Sequence, residues 1–381
     1  MTIKNIKDTL LQNLINIPGW RTIRKIVIFE SDDWGSIRMP SRDVYELLLN
    51  KGIRIDNWSY NRYDSLASEA DLTALFEVLQ SVHDKNGHSA VITANTIVAN
   101  PDFDKIRASN FREYHYEPFT ETLKRYPEHH KSFELWQEGI RAGIFRPQFH
   151  GREHLNVYSW LNALKQNVGH IRLAFDYRLF DLSTQSAISE NSFMQALYCK
   201  SADELEFQKH AIIEGLQLFE QIFGYKSKTF IPPCYTYSNE LNEIFKNQNV
   251  NAFQGGWFHL DPVADNAFKL KKHIHYLGQR NRLKQVYLIR NVAFEPTENP
   301  GVDWINKALN QIESGFRMFK PAIISTHRIN FIGFIDRSNR ERNLALFNEL
   351  LKKIVQKWPD IEFMSSDQLA DIILKSQKPN Q

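Results

Sequence analysis

The chain has only two cysteines, Cys199 and Cys234, in 381 residues. Two thiols make no disulfide framework, and a reducing compartment suits them. No stretch approaches the roughly 18 consecutive apolar residues of a membrane-spanning helix. The opening MTIKNIKDTLLQNLINIPGW alternates apolar and polar residues and lacks the continuous apolar region of a secretory signal, so the expected location is cytoplasmic. Charge of one sign is missing too. Lysine and arginine total 47 against 44 acidic residues, a net +3 too mild and dispersed for a nucleic-acid partner. There is no internal repeat, low-complexity tract or Gly/Ser linker, and Gly255-Gly256 lacks the spacing of a phosphate loop.

What is present is an ordinary globular composition, 42% hydrophobic and 24% charged, long enough for a sizeable core. Aromatics reach 13%; they fill cores, and their faces also stack on sugar rings. Short apolar runs read as strands: KIVIFE (25–30), SAVITAN (89–95), FRPQFH (145–150), HIRLAFD (170–176), KTFIPP (228–233), NAFQGG (251–256), VYLIRN (286–291), AIISTH (322–327) and IEFMSS (361–366). Helical segments lie between them. Ser68 with Asp71 opens one that Gly87 is expected to stop; Ser201 with Glu204 opens another that ends at Gly224. Asp303 caps a third, 339–357 is amphipathic, and Ser365 with Gln368 begins the last. This alternation predicts an α/β fold of mostly parallel strands, with active residues at the strands' C-terminal ends. The polar, aromatic-rich stretches at about 54–68 and 98–140 read as insertions over one face.

Four strand ends carry suitable chemistry. The first delivers Asp32 and Asp33, the third His150 and His154 in HGREH, the fifth Pro232-Pro233 in IPPCY, and the eighth His327 in STHRIN. Histidines four apart share one face of a helical turn and can reach one ion. A zinc site takes three protein ligands, and Asp32 or Asp33 can supply the carboxylate. The other aspartate is then free to act as a general base, with His327 placed to protonate a leaving group.

In this order, SDDWG, HGREH, IPPCY and STHRINF resemble the motifs of the NodB-homology polysaccharide deacetylases, the carbohydrate esterase family 4 group. The resemblance spans about 25–370 and implies a distorted (β/α) barrel with insertions, one catalytic domain over 1–381 with its core at about 22–372. It implies removal of an N-acetyl or O-acetyl group from an amino sugar, polysaccharide or glycan precursor with a divalent metal, zinc first. It assigns Asp32 as base, Asp33, His150 and His154 as ligands, and His327 as general acid. Four positions depart from the family: Glu30-Ser31 stand where Thr-Phe is usual, Gly151 where Ser or Thr is usual, and Ile231 where an arginine orients the base. Arg152, Arg290 and Arg328 are the available substitutes for that charge.

Trp34, Arg152, Tyr235, Trp257, Arg290 and Arg328 are the candidate substrate contacts; Tyr235 follows the proline pair where the family holds an oxyanion by a backbone N–H. Arg290 can instead pair with Glu295. Two other readings compete. HGREH fits an inverted zinc-peptidase motif with Glu153 as base, which needs a regular helix. A non-catalytic glycan-binding relative fits the missing arginine. His273 and His275 in KKHIHYLG read as a solvated basic edge beside Lys271 and Lys272.

Overall fold

A computed structural model describes residues 13–182, 193–263 and 269–376. The first strands are β1 (Lys25–Trp34), β2 (Ile92–Ile97), the small hairpin β3 (Ala99–Pro101) and β4 (Tyr116–Pro118), then β5 (Phe145–Gly151), β6 (Thr229–Phe230) and β7 (Ala252–Gly255). A second hairpin, β8 (Phe258–Pro262) and β9 (Leu270–Ile274), precedes β10 (Val286–Ile289), β11 (Val292–Ala293), β12 (Ala322–His327) and β13 (Ile361–Phe363). Nine of these form one sheet in the order β10-β7-β6-β5-β2-β1-β12-β11, with β13 also on β1. Every pairing in it is parallel, which is what strand–helix alternation requires.

The two ends of that order are neighbours in the chain. Only Arg290 and Asn291 separate β10 from β11. The Arg290 N–H donates to the Gly255 carbonyl at 2.9 Å, and the Asn291 N–H to the Ile323 carbonyl at 3.1 Å. The chain therefore leaves one edge of the sheet and joins the other across a single dipeptide. The result is a distorted (β/α) barrel with its seam at Arg290.

Side-chain alternation along β1 sorts the core. Val27 and Phe29 belong to an outer cluster with Leu72 and Leu75, Ile305 and Ile312, and Leu350 and Leu351 from three covering helices. Ile26 and Ile28 belong to a second cluster with Ile323, Leu288 and, from the last helix, Leu369 and Ile373. Glu30 and Asp32 continue the second set toward the C-terminal end of the strand.

Most helix boundaries follow their caps. Ser68 and Asp71 form a reciprocal capping box before Glu69–Gln80, Ser201 caps Ala202–Phe223, which ends at left-handed Gly224, and Asp303 caps Trp304–Arg317. The amphipathic segment is the helix Arg337–Lys357, and the Ser365 N–H donates to Gln368 at the start of Ser366–Ser376. Two expectations are corrected. The run HIRLAFD is a helix, Gly169–Asp176, whose buried Ile171, Ala174 and Phe175 recur at helical spacing. The helix from Glu69 ends at Gln80, while Gly87 turns a separate loop in which its N–H donates to the Asp84 carbonyl. No described helix is long and apolar enough to cross a membrane.

The 54–68 segment reaches the C-terminal mouth through the buried Asp64 carboxylate, which pairs closely with Arg328 and at 3.8 Å with Arg38. Arg328, just after β12, donates two bonds from Nη2 and one from Nε to the Asp64 carboxylate, and both side chains are fully buried. Nη1 of Arg328 donates to the Ser36 carbonyl at 2.7 Å, so the guanidinium ties three segments together. Removing one partner of such a pair leaves an uncompensated charge. Asp64→Ala is expected to cost about 3–5 kcal/mol in urea unfolding, and Asp64→Leu with Arg328→Met to recover much of it.

Candidate active site

The site begins with an irregularity in β1. The register to β2 shifts between Ser31 and Trp34, and Asp33 takes a left-handed φ of 72°. Regular alternation would send adjacent side chains to opposite faces; the bulge turns Asp33 to the mouth beside Asp32. Gly35 follows at φ 81°, where a Cβ would lie 2.2 Å from the Ile97 carbonyl oxygen, so glycine is required there.

Asp33 meets two histidines. His150 is the penultimate residue of β5, and Gly151, which ends it at φ 145°, turns the chain so that His154 returns to the same point. That backbone angle is closed to Ser or Thr without strain, which accounts for the departure at 151. The carbonyls of Gly151 and Arg152 accept from the Val98 and Ala99 N–H groups and hold this loop. His154 therefore lies in a loop before the helix Val157–Lys165, not on a helical turn with His150.

Nε2 of His150 and Nε2 of His154 each lie 3.4 Å from Asp33 Oδ1, and all three residues are buried. This is too long for a good N–H···O bond, and Oδ1 has no hydrogen-bond partner. Ligand atoms about 2.1 Å from a tetrahedral zinc ion stand about 3.4 Å apart, so the donor set fits such an ion. Nδ1 of His150 lies 2.8 Å from the Ile231 carbonyl; donating its proton there leaves Nε2 with a lone pair. Burial pushes His154 down to about 3, keeping its imidazole neutral as a ligand must be. Burial alone would raise Asp33, but the neighbouring histidines and Arg38 hold its carboxyl well below the usual range.

Asp32 is held in a different way. Arg290 Nη2 donates to Oδ1 at 2.6 Å and Nη1 to Oδ2 at 2.7 Å, while Asn95 Nδ2 donates to Oδ1 at 2.7 Å. Burial opposes ionisation of Asp32, and the guanidinium outweighs it, leaving the carboxyl below its ordinary pKa. The same arginine turns Nε to Glu30 Oε2 at 2.6 Å, and Ser366 Oγ donates to the other Glu30 oxygen at 2.7 Å. Glu30 thus buttresses Arg290 from below. Arg290 pairs with these two carboxylates rather than with Glu295, and its buried guanidinium is a positioning group.

Glu295 instead holds His327. Its Oε1 lies 2.7 Å from His327 Nδ1, and its Oε2 accepts from Asn330 Nδ2 at 2.7 Å. His327 Nε2 faces Asp32 Oδ2 at 3.7 Å, and β1–β12 register sets the two residues directly opposite. Burial would lower the imidazole pKa, but Glu295 and then the aspartates raise it well above the ordinary value. That shift favours the protonated imidazolium, the form that can donate a proton. The Tyr60 ring meets it edge-on, with centroids 5.9 Å apart, and brings the 54–68 segment over the site.

The remaining candidates scatter. Trp34 is 1% exposed, packs edge-on against Trp136 and Phe145, and donates from Nε1 to Ser31; it belongs to the core. Arg328 is spent on Asp64. Arg152 pairs with Glu153 and Glu214, its guanidinium over the Tyr116 ring. Glu153 is thus a salt-bridge partner, and with no helix through HGREH the inverted-peptidase geometry is absent. Tyr235 lines the seam with its hydroxyl 3.4 Å from Arg290 Nη1, but its N–H donates to the Pro232 carbonyl and is not free for an oxyanion. Trp257 follows β7 and lies under Lys272 at 4.2 Å. Sequence reasoning missed Glu295 and Asn330 as the support of His327, and Asn95 on Asp32. For Glu295 the signal was its position just past β11, the strand beside β12.

No family model and no curated protein matches the chain. Among solved structures it is similar to a putative polysaccharide deacetylase from Mycobacterium smegmatis, 11% identical with TM-score 0.45, covering 96% of each chain. It is similar to Puue allantoinase at 10% identity and TM-score 0.45, again covering 96% of each chain. Against a 4-alpha-glucanotransferase from Thermococcus litoralis the identity is 10% and the TM-score 0.45, over 93% of this chain and 40% of that one.

The His327–Glu295 contact yields a direct test. The carboxylate raises the imidazole pKa, so Glu295→Gln must lower it. In an NMR titration the His327 midpoint is expected to fall toward the ordinary imidazole range near 6.5. An unmoved midpoint would assign the shift to another group.

Proposed function

We propose that this chain is a divalent-metal-dependent amidohydrolase, a divergent relative of the NodB-homology polysaccharide deacetylases. Its substrate is an acetylated amino sugar, polysaccharide or glycan precursor, and an N-acetyl amide is the bond it opens first. One catalytic unit carries the reaction, with 54–68 and 98–140 as insertions around the mouth. The observation that carries this reading is the unpartnered, buried Asp33 Oδ1 facing two imidazole nitrogens, beside a second aspartate held wholly by other groups.

Asp33 Oδ1, His150 Nε2 and His154 Nε2 would hold the ion; two nitrogens and one carboxylate oxygen favour zinc over magnesium or calcium. When bound, such an ion supplies Lewis acidity to a carbonyl oxygen and acidifies water. Asp32 accepts the proton of the attacking water at Oδ2, the oxygen that faces His327. The Arg290 clamp lowers its basicity but keeps it ionised and fixes the plane of its carboxylate. His327 donates its Nε2 proton to the departing amine nitrogen, and Glu295 fixes the imidazolium orientation through Nδ1. The surroundings push the two proton-transfer groups in opposite directions, Asp32 down and His327 up, as acid and base in one site need.

The expected pH profile of kcat/KM is a bell with a wide plateau. Its acid limb lies below the ordinary carboxylate range, because Asp32 is lowered, and its basic limb above the ordinary imidazole range, because His327 is raised. Acetate release should be measured on zinc-loaded protein over N- and O-acetylated sugars. Asp33→Ala is expected to lose both metal and turnover, whereas Asp32→Asn keeps the metal and loses about 10²–10⁴ in kcat. Zinc-loaded protein that binds glycans but releases no acetate from any of them would leave only the non-catalytic reading.

A further inference from the structure

The hairpin β8–β9 carries a second cluster that the reaction does not use. His259 and His273 stand directly opposite each other across the antiparallel pair, and Asp261 lies two residues along from His259 on the same face. Lys271 and Lys272 are exposed, but the histidines beside them turn inward, which corrects the solvated-edge reading. The His259 ring lies parallel to His273 with centroids 5.0 Å apart and edge to edge in one plane with His275 at 4.9 Å, and His275 stacks on Tyr287 at 3.7 Å.

The hydrogen bonds fix where the protons sit. The Tyr276 N–H donates to Gln279 Oε1 at 3.2 Å, so that atom accepts. His275 Nδ1, 3.1 Å from the same oxygen, must then carry its proton. The Nε2 of neutral His275 is left as an acceptor for His259 Nδ1–H at 2.7 Å. His259 Nε2 therefore bears a lone pair; it is buried, in a residue only 4% exposed, with no hydrogen-bond partner. A bare imidazole nitrogen whose other nitrogen donates into a fixed chain is the arrangement of a metal-ligating histidine.

Two further candidate ligands, Asp261 and His273, belong to the same cluster. Asp261 Oδ2 accepts from Asn239 Nδ2 at 2.8 Å and lies 3.0 Å from His273 Nε2, and its Oδ1 accepts from the Asn239 N–H at 3.3 Å. One ligating atom from each of His259, Asp261 and His273 lies within 4.8 Å of the others. The His273 and Asp261 side chains are 25% and 16% exposed, which gives an ion a way in from solvent.

We propose that His259, Asp261 and His273 bind a second divalent ion of the zinc class, separate from the Asp33 site, that ties the β8–β9 hairpin to the turn at Asn239. Two imidazoles and one carboxylate set its chemistry, and His275 with Gln279 orients the buried ligand. The site does not depend on the hydrolase reading.

Zinc content after dialysis, measured by mass spectrometry on the full chain, tests it. Wild type is expected to retain two ions per chain, and Asp33→Ala and His273→Ala one each. Asp261→Asn, which keeps the shape of the side chain, should match His273→Ala. Identical zinc content in wild type, His273→Ala and Asp261→Asn would overturn the proposal, whatever Asp33→Ala does. Loss of zinc in His273→Ala with none lost in Asp33→Ala would support this site while removing the first.

Discussion

The Arg290 guanidinium is the contact on which the rest of the site depends. It stands at the dipeptide where the barrel closes, and its donors run to Glu30, Asp32 and Ser325. Two carboxylates so close inside a barrel would repel each other and resist ionisation; a bidentate arginine between them reverses the balance. Glu30 shows the limit of that compensation. Burial raises its pKa, and Arg290 and Ser366 offset the rise only in part. Removing the arginine would strand both acids, a change of the kind that costs about 3–5 kcal/mol, so closure of the fold and order of the site are one problem.

With Asp32 fixed in this way, the adjacent aspartate is free for a different task. Among the described residues no arginine forms an ion pair with Asp33; its ion-pair partners are two imidazole nitrogens at 3.4 Å, a spacing that favours an ion over direct bonds. The division is made by the backbone. The bulge and the left-handed residue at Asp33 turn two neighbours to one mouth, and Gly35 permits the close approach to β2 that follows. His327 completes the pattern from the neighbouring strand, and Glu295 pushes its imidazole toward the charged form that a proton donor needs. Asp32 and His327 have their pKa values pushed in opposite directions by different partners, while their side chains nearly touch.

Much of this could be read in the sequence. Asp32, Asp33, His150 and His327 stand at strand ends, with His154 in the loop just after one, and parallel strands bring such ends together whatever the intervening chain does. Partners reached only through the closed barrel were harder to find. Arg290 was one of three arginines open to the role, and choosing it required knowing that β10 and β11 meet at the seam. Glu295 is 32 residues from His327 in sequence but adjacent across β11 and β12. HIRLAFD was misread because a short apolar run fits either period; spacing at 171, 174 and 175 favoured the helix. His259 drew no notice because its neighbours His273 and His275 lie on and just past the other strand of a hairpin.

The central claim is that adjacent aspartates divide the work, Asp33 facing an ion while Asp32 stays on Arg290. Anomalous diffraction from crystals of zinc-loaded protein tests it most directly. The account expects a zinc peak bonded to Asp33 Oδ1, His150 Nε2 and His154 Nε2, with Asp32 still bidentate to Arg290. A peak ligated by Asp32, or none among these residues while the protein retains activity, would contradict it.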